Sequence, residues 1–139
     1  MTNLLRKALL LTAITYAHIA SGQSRADGLA AMQMEDWDKA ISIYTALTKA
    51  DPTDQDAYLT LANAYLGKGD KDKALEVSKT AFNAKPDDQM AFVANAKVLQ
   101  LEGKSSEASE QFERAAKKGK KNINVLRQIG ESFIYYIPP

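Results

Sequence analysis

AYLTLANAYLGKGDKDKALEVSKTAFNAKP, residues 57–86, reads as one amphipathic helix hairpin. Tyr58, Leu61, Ala62 and Tyr65 fall at i, i+3, i+4 and i+7, which places them on one face of a helix running up to Leu66. Gly67 and Gly69 end that helix. Asp70 then offers a side-chain oxygen to the free amides of a second helix, on which Ala74, Ser78 and Ala81 recur at spacings of four and three. Pro86 closes the unit, because a helix rarely continues through proline.

Shifting the register by thirty-four residues finds the same spacing again on either side. One column holds Gly28, Ala62, Ala96 and Gly130, a second Ala40, Ala74 and Ala108, and a third Leu47, Ala81 and Ala115. The closing position holds Pro52, Pro86 and then Lys120. Small side chains recur where two helix axes approach closely. Large partners recur beside them, Tyr58 in register with Phe92 and Leu126, Tyr65 with Leu99 and Phe133, and Tyr44 with Phe112.

These columns resemble the tetratricopeptide repeat, whose helix-turn-helix unit has that period and a W-x2-L-G-x2-Y, A-x3-F, P pattern. Tyr58, Leu61, Ala62, Tyr65, Ala74 and Pro86 form the best copy, with Ser78 where an aromatic is usual. The copy before it keeps Gly28, Ala40, Tyr44 and Pro52 but starts on Ser24 and Asp27, so its first helix is degenerate. In the third copy Phe92, Ala96, Leu99, Ala108, Phe112 and Ala115 fit, while Asn95 and Lys120 depart from the pattern. A last helix matches half a unit through Leu126, Ile129, Gly130 and Phe133. The resemblance implies an all-α solenoid of about three repeats, near 21–54, 55–88 and 89–122, with a C-terminal capping helix over 122–137. Seven helices are expected, about Gln23–Met34, Trp37–Ala50, Asp54–Gly67, Lys71–Lys85, Asp88–Leu101, Ser105–Lys118 and Asn122–Ile137. The last of them would cover the apolar side of the third repeat.

The N-terminus differs in composition from all of this. Arg6 and Lys7 precede an uncharged run, Ala8 to Ala17, and the small residues Ala20, Ser21 and Gly22 follow, which is the shape of a secretory signal peptide over 1–22 cut after Gly22, or else after Ala20. The uncharged stretch Ala8 to Ser24 includes several polar residues, so it falls short of the roughly 20 apolar residues of a spanning helix. An exported protein, periplasmic or secreted, is therefore expected, with a 23–137 repeat domain and a membrane link only if the signal stays uncut.

Loss of Arg6 and Lys7 leaves sixteen basic and seventeen acidic residues, a net charge of −1. A near-neutral chain has no bulk attraction for nucleic acid or anionic membrane. The chain has no cysteine, and its one histidine, His18, lies in the segment expected to be lost. That removes most zinc sites, Ser-His-Asp triads and thiolate nucleophiles, so no catalytic residue, metal, cofactor or small-molecule substrate is expected. The carboxylates Asp51, Asp54 and Asp56, Asp70 and Asp72, and Asp87 and Asp88 sit at helix starts, where they cap free amides. The basic run Arg114, Lys117, Lys118, Lys120 and Lys121 is a solvated helix end, and Gly67, Gly69 and Gly103 are turn residues.

In arrays like the one resembled, the inner face of the first helices lines a concave groove. Leu29, Met32, Leu59, Leu66 and Val93 lie in adjoining rows of that face, and Asn63, Lys97 and Arg127 step across it as donors. Such a trough suits a protein or peptide segment: side chains fill the apolar rows, and the donors take carbonyls or a carboxylate. The bland alternative is that these residues pack against neighbouring helices or bind the protein's own terminus. Some cytosolic members of the family carry a basic clamp for chaperone C-termini, and the corresponding positions here include Leu29, Thr60, Met90 and Ala94, which argues against that ligand class. A second reading is a homodimer through the degenerate first repeat or the aromatic tail Phe133, Tyr135 and Tyr136.

Overall fold

The computed structural model describes residues 24–136, so the expected signal segment, 1–22, lies outside the described residues. Seven helices are present among them: α1 (24–33), α2 (Trp37–Ala50), α3 (Gln55–Lys68), α4 (Lys71–Ala84), α5 (Gln89–Leu101), α6 (Ser105–Lys118) and α7 (Ile123–Ile134). Asp36, Asp54, Asp70 and Asp88 each accept a hydrogen bond from a backbone amide two or three residues on, at 3.0 to 3.2 Å, and so cap α2 to α5. Asn122 caps α7 in the same way, at 3.1 Å from the Asn124 amide. Gly69 takes a left-handed φ of 86° at the end of α3, and Gly103 a φ of 81° in the turn after α5, conformations that a side chain would strain.

Gly67 is not a turn residue. It lies inside α3, and a Cβ built there would stand 2.7 Å from the indole of Trp37, so its smallness admits Trp37 against the helix. α3 and α4 are also tied through Gln55, whose amide donates to the carbonyls of Ala81 at 2.9 Å and Lys85 at 3.1 Å. That bond satisfies carbonyls at the end of α4, which has no helical partner for them.

Each helix from α2 to α6 packs chiefly on its neighbours in sequence. The repeat columns supply the contact. Ala40, Ala62, Ala74, Ala81, Ala96 and Ala115 are fully buried, and Ala108 nearly so. A Cβ at Gly28 would meet the Tyr44 ring at 2.8 Å. Ala62→Leu should therefore overpack the α3–α4 contact and lower stability by about 1 to 3 kcal/mol, read from the urea midpoint. A midpoint unchanged by the extra side chain would mean that the column is not what sets helix spacing.

α7 departs from the pattern. Instead of stacking mainly on α6, it spreads over α3, α5 and α6. Val125 at its start lies against Gly119, where a Cβ would stand 2.5 Å from Val125 Cγ1. Gly130, the last member of its column, meets nothing within 4 Å of a built Cβ and so does not serve as a contact point. The final helix thus reaches well beyond the third repeat, onto the second.

Candidate partner-binding groove

The inner wall is made by α1, α3 and α5. The sequence-derived trough residues lie on it or under it, but the wall is not open: α7 lies across its middle. Leu59, Asn63, Val93 and Lys97 are fully buried, and Met32 is 5% exposed. Leu66 is half-buried, Arg127 is half-buried on α7 itself, and Leu29 at the far end keeps 37% of its surface exposed. Leu59 and Val93 join the core cluster with Val125 of α7, so they are covered by the chain's own helix.

Side-chain hydrogen bonds seat α7. Gln128 donates from Nε2 to Thr60 Oγ1 at 2.9 Å, to Asp56 Oδ1 at 2.9 Å and to the Asp56 carbonyl at 3.2 Å. Arg127 donates to Asp56 Oδ1 at 2.5 Å and, one turn along its own helix, to Glu131 Oε1 at 2.6 Å. The Asn63 amide donates to Glu131 Oε2 at 3.0 Å, and Lys97 Nζ to Ser132 Oγ at 3.3 Å. The Ser132 hydroxyl in turn donates to the Gln128 carbonyl at 2.8 Å. At the end of α7 the Tyr135 ring meets Trp37 edge-on, centroids 6.0 Å apart, and Tyr136 packs on the cluster of Ala62, Ala74 and Leu101.

Charge at this seat is unusual. Burial pushes the Lys97 ammonium down to a pKa of about 7, and Glu131 only partly holds it up. Burial raises the Tyr44 phenol to about 12, with Arg25 pulling it down and Asp56 pushing it up. Arg127 is desolvated, but Asp56 and Glu131 outweigh that and leave its pKa raised. Arg25 reaches from α1 to Asp54 and Asp56, which ties the first repeat to the same acidic edge. Among the described residues, the buried oxygens Asn63 Oδ1, Gln100 Oε1 and Gln128 Oε1 have no hydrogen-bond partner.

Hollows flank α7 where it crosses the wall. One of about 220 Å³ is lined by Arg25, Leu29, Tyr44, Asp54, Asp56, Asn124 and Arg127. Another, of about 160 Å³, is lined by Leu66, Gly69, Lys71, Leu101, Tyr135 and Tyr136. The outward side of α7 is apolar and wet, with Ile123 75%, Phe133 60% and Ile134 73% exposed, although Phe133 leans on Phe112 at 5.1 Å.

Sequence reasoning missed Asp56, Thr60, Gln128 and Ser132 as a set. A signal was present. Asn63, Lys97 and Glu131 share one register position, as do Thr60, Ala94 and Gln128, so donors and acceptors recur in columns that face the groove axis. A polar column flanked by apolar ones marks a buried polar seam, whose members must find partners in one another.

Residues 31–95 match the family model described as tetratricopeptide repeat. No curated protein sequence matches the chain. Among solved structures, the TPR domain of Sgt2 from Aspergillus fumigatus has a TM-score of 0.59 at 22% identity, over 83% of this chain and 78% of that one. The TPR2B domain of yeast Sti1, in complex with pHsp70, has a TM-score of 0.59 at 21% identity, over 83% of this chain and 94% of that one. The first TPR of Spaghetti (RPAP3), bound to the HSP90 peptide SRMEEVD, has a TM-score of 0.57 at 18% identity, over 82% of this chain and 90% of that one. At these identities the likeness is one of fold.

Proposed function

We propose, for a chain that carries tetratricopeptide repeats, a non-catalytic scaffold that is exported and holds a segment of a partner protein on the wall of α1, α3 and α5. The observation that carries this reading is the seat itself. Thr60, Asn63 and Lys97 form a row of polar anchors on a concave surface, and they engage a helix through its side chains. A wall with no ligand to hold would have little use for a buried ammonium, a buried amide and a buried hydroxyl, since burying them costs free energy that apolar side chains would not. Domains of the same fold in Sti1 and RPAP3 are in complex with chaperone segments. Leu29, Thr60, Met90 and Ala94 speak for a different ligand here. Export rests on the composition of residues 1–22.

The test places a photo-crosslinking amino acid at Leu29, at Leu66 or at Glu113, the last on the outer side of α6. In the native compartment, one partner should be captured from the two groove ends and not from the outer face. The captured chain should begin at Gln23. Equal capture from all three positions, or none from the groove ends, would overturn the groove reading, and an intact N-terminus would overturn the export reading.

A second reading is favoured by the exposed stripe Ile123, Leu126, Phe133 and Ile134, which suits self-association along α7. Of the aromatic tail only Phe133 faces outward, because Tyr135 and Tyr136 pack against the wall. A strict monomer in sedimentation at micromolar concentration removes this reading.

A further inference from the structure

The way α7 is seated states what the wall can recognise. Gln128, Glu131, Ser132 and Tyr135 stand at i, i+3, i+4 and i+7, one face of a helix, and each meets a fixed counterpart: Thr60 with Asp56, Asn63, Lys97 and Trp37. An extended segment spaces its side chains at alternate residues and on opposite sides, so it cannot present these four groups to those four places.

The seat is also imperfect. Asn63 Oδ1 and Gln128 Oε1 are buried without a partner, and the Lys97 ammonium meets a hydroxyl rather than a carboxylate. Each is a cost that leaving the wall would relieve. The opposite side of α7 keeps Phe133 and Ile134 in water, so little apolar burial holds that side down. Only the short stretch 119–122 joins α7 to α6, and release of α7 on it withdraws Val125 from the cluster it shares with Leu59, Val93 and Ala115.

We infer that the wall is a receptor for an amphipathic helix bearing amide, carboxylate, hydroxyl and aromatic side chains in this order and spacing, and that α7 is its exchangeable resident. The inference rests on the scaffold reading and sharpens it: the partner segment is helical, imitates α7 and displaces it. A partner held in extended form is an outcome of the test that would contradict it.

The experiment uses the full chain and a fluorescein-labelled synthetic peptide with the sequence of residues 120–136, followed by anisotropy. Because the chain has no cysteine, Thr60→Cys with Gln128→Cys creates the only two thiols, and a short bis-methanethiosulfonate reagent bridges them reversibly. The bridged chain should bind the peptide at least about 30-fold more weakly than the same chain after reduction. The full chain with Gln128→Ala and Glu131→Ala should bind the parent peptide at least about tenfold more tightly than wild type does, since its own α7 competes less well. A peptide with those two changes should lose about tenfold on every chain. Equal affinity for bridged and reduced chains, no binding to the weakened chain, or equal binding by a peptide with a central proline would each overturn the inference. Peptide exchange without partner capture would remove the scaffold reading and leave the exchange standing.

Discussion

Lys97→Met should stabilise the chain by about 2 to 4 kcal/mol at pH 7, because it removes a buried charge with no carboxylate in contact and keeps the side-chain volume. The same change should abolish most of the pH dependence between pH 7 and 9.5. In the folded chain the Lys97 ammonium gives up its proton near pH 7, whereas in the unfolded chain it keeps the proton up to the ordinary 10.5. Across that window unfolding takes up a proton, so stability rises with pH; below pH 7 both states are protonated and the cost of burial is present in full. The rise amounts to at most about 3 kcal/mol between pH 7 and 9.5. Tyr44 acts in the other direction only above pH 10, since burial raises it to about 12 while the unfolded phenol ionises near its ordinary value, 10. Urea midpoints of wild type and Lys97→Met at pH 7 and 9.5 decide the matter. A methionine variant less stable than wild type, or a wild type that weakens toward pH 9.5, would show that the ammonium makes a net favourable contact with Glu131 and Ser132.

The role of Lys97 also shows where sequence reasoning stopped. The thirty-four-residue columns located every helix, and α2 and α6 coincide with their expected limits, Trp37–Ala50 and Ser105–Lys118. They could do so because small residues at one interval are a local requirement of helix contact, legible without knowing the rest of the chain. Asp54, Asp70 and Asp88 were legible as caps for the same reason. The path of α7 was not. Leu126, Gly130 and Phe133 sit in the columns of the earlier first helices and so suggest another turn of the same stacking, yet Gly130 touches nothing and Phe133 is largely exposed. The polar bonds that seat α7 join residues 35 to 72 apart in sequence, each chemically ordinary alone. Glu131 lay in the right column beside Asn63 and Lys97, but only the closing of the helix over the wall sets Asn63 on Glu131 and Lys97 on the neighbouring Ser132.

Removing the Asp56 carboxylate should free α7 while leaving the repeats intact. Asp56 stands on α3 and accepts from Arg127 at 2.5 Å, from Gln128 at 2.9 Å and from Arg25 at 3.2 Å, so one side chain joins α1, α3 and α7. In Asp56→Ala, Gln128 keeps Thr60 and Arg127 keeps Glu131, but a half-buried guanidinium and an amide each lose an acceptor, at about 2 to 4 kcal/mol together. The backbone of α3 does not depend on this residue, because the cap is Asp54. The loss should therefore fall on the docking of α7 rather than on global stability. Amide exchange in α7 would then rise by about 30- to 1000-fold, with α4 and the middle of α5 unchanged. Hydrogen-exchange mass spectrometry separates the two cases, since α7 and α4 fall in different peptides. Protection of α7 equal to wild type would mean that Val125, Ile129 and the Trp37–Tyr135 contact hold the helix by themselves, and the polar seam would then be a consequence of docking rather than its cause. Uniform loss of protection across α2 to α6 would instead make α7 a structural part of the solenoid, with no separate docked state to release.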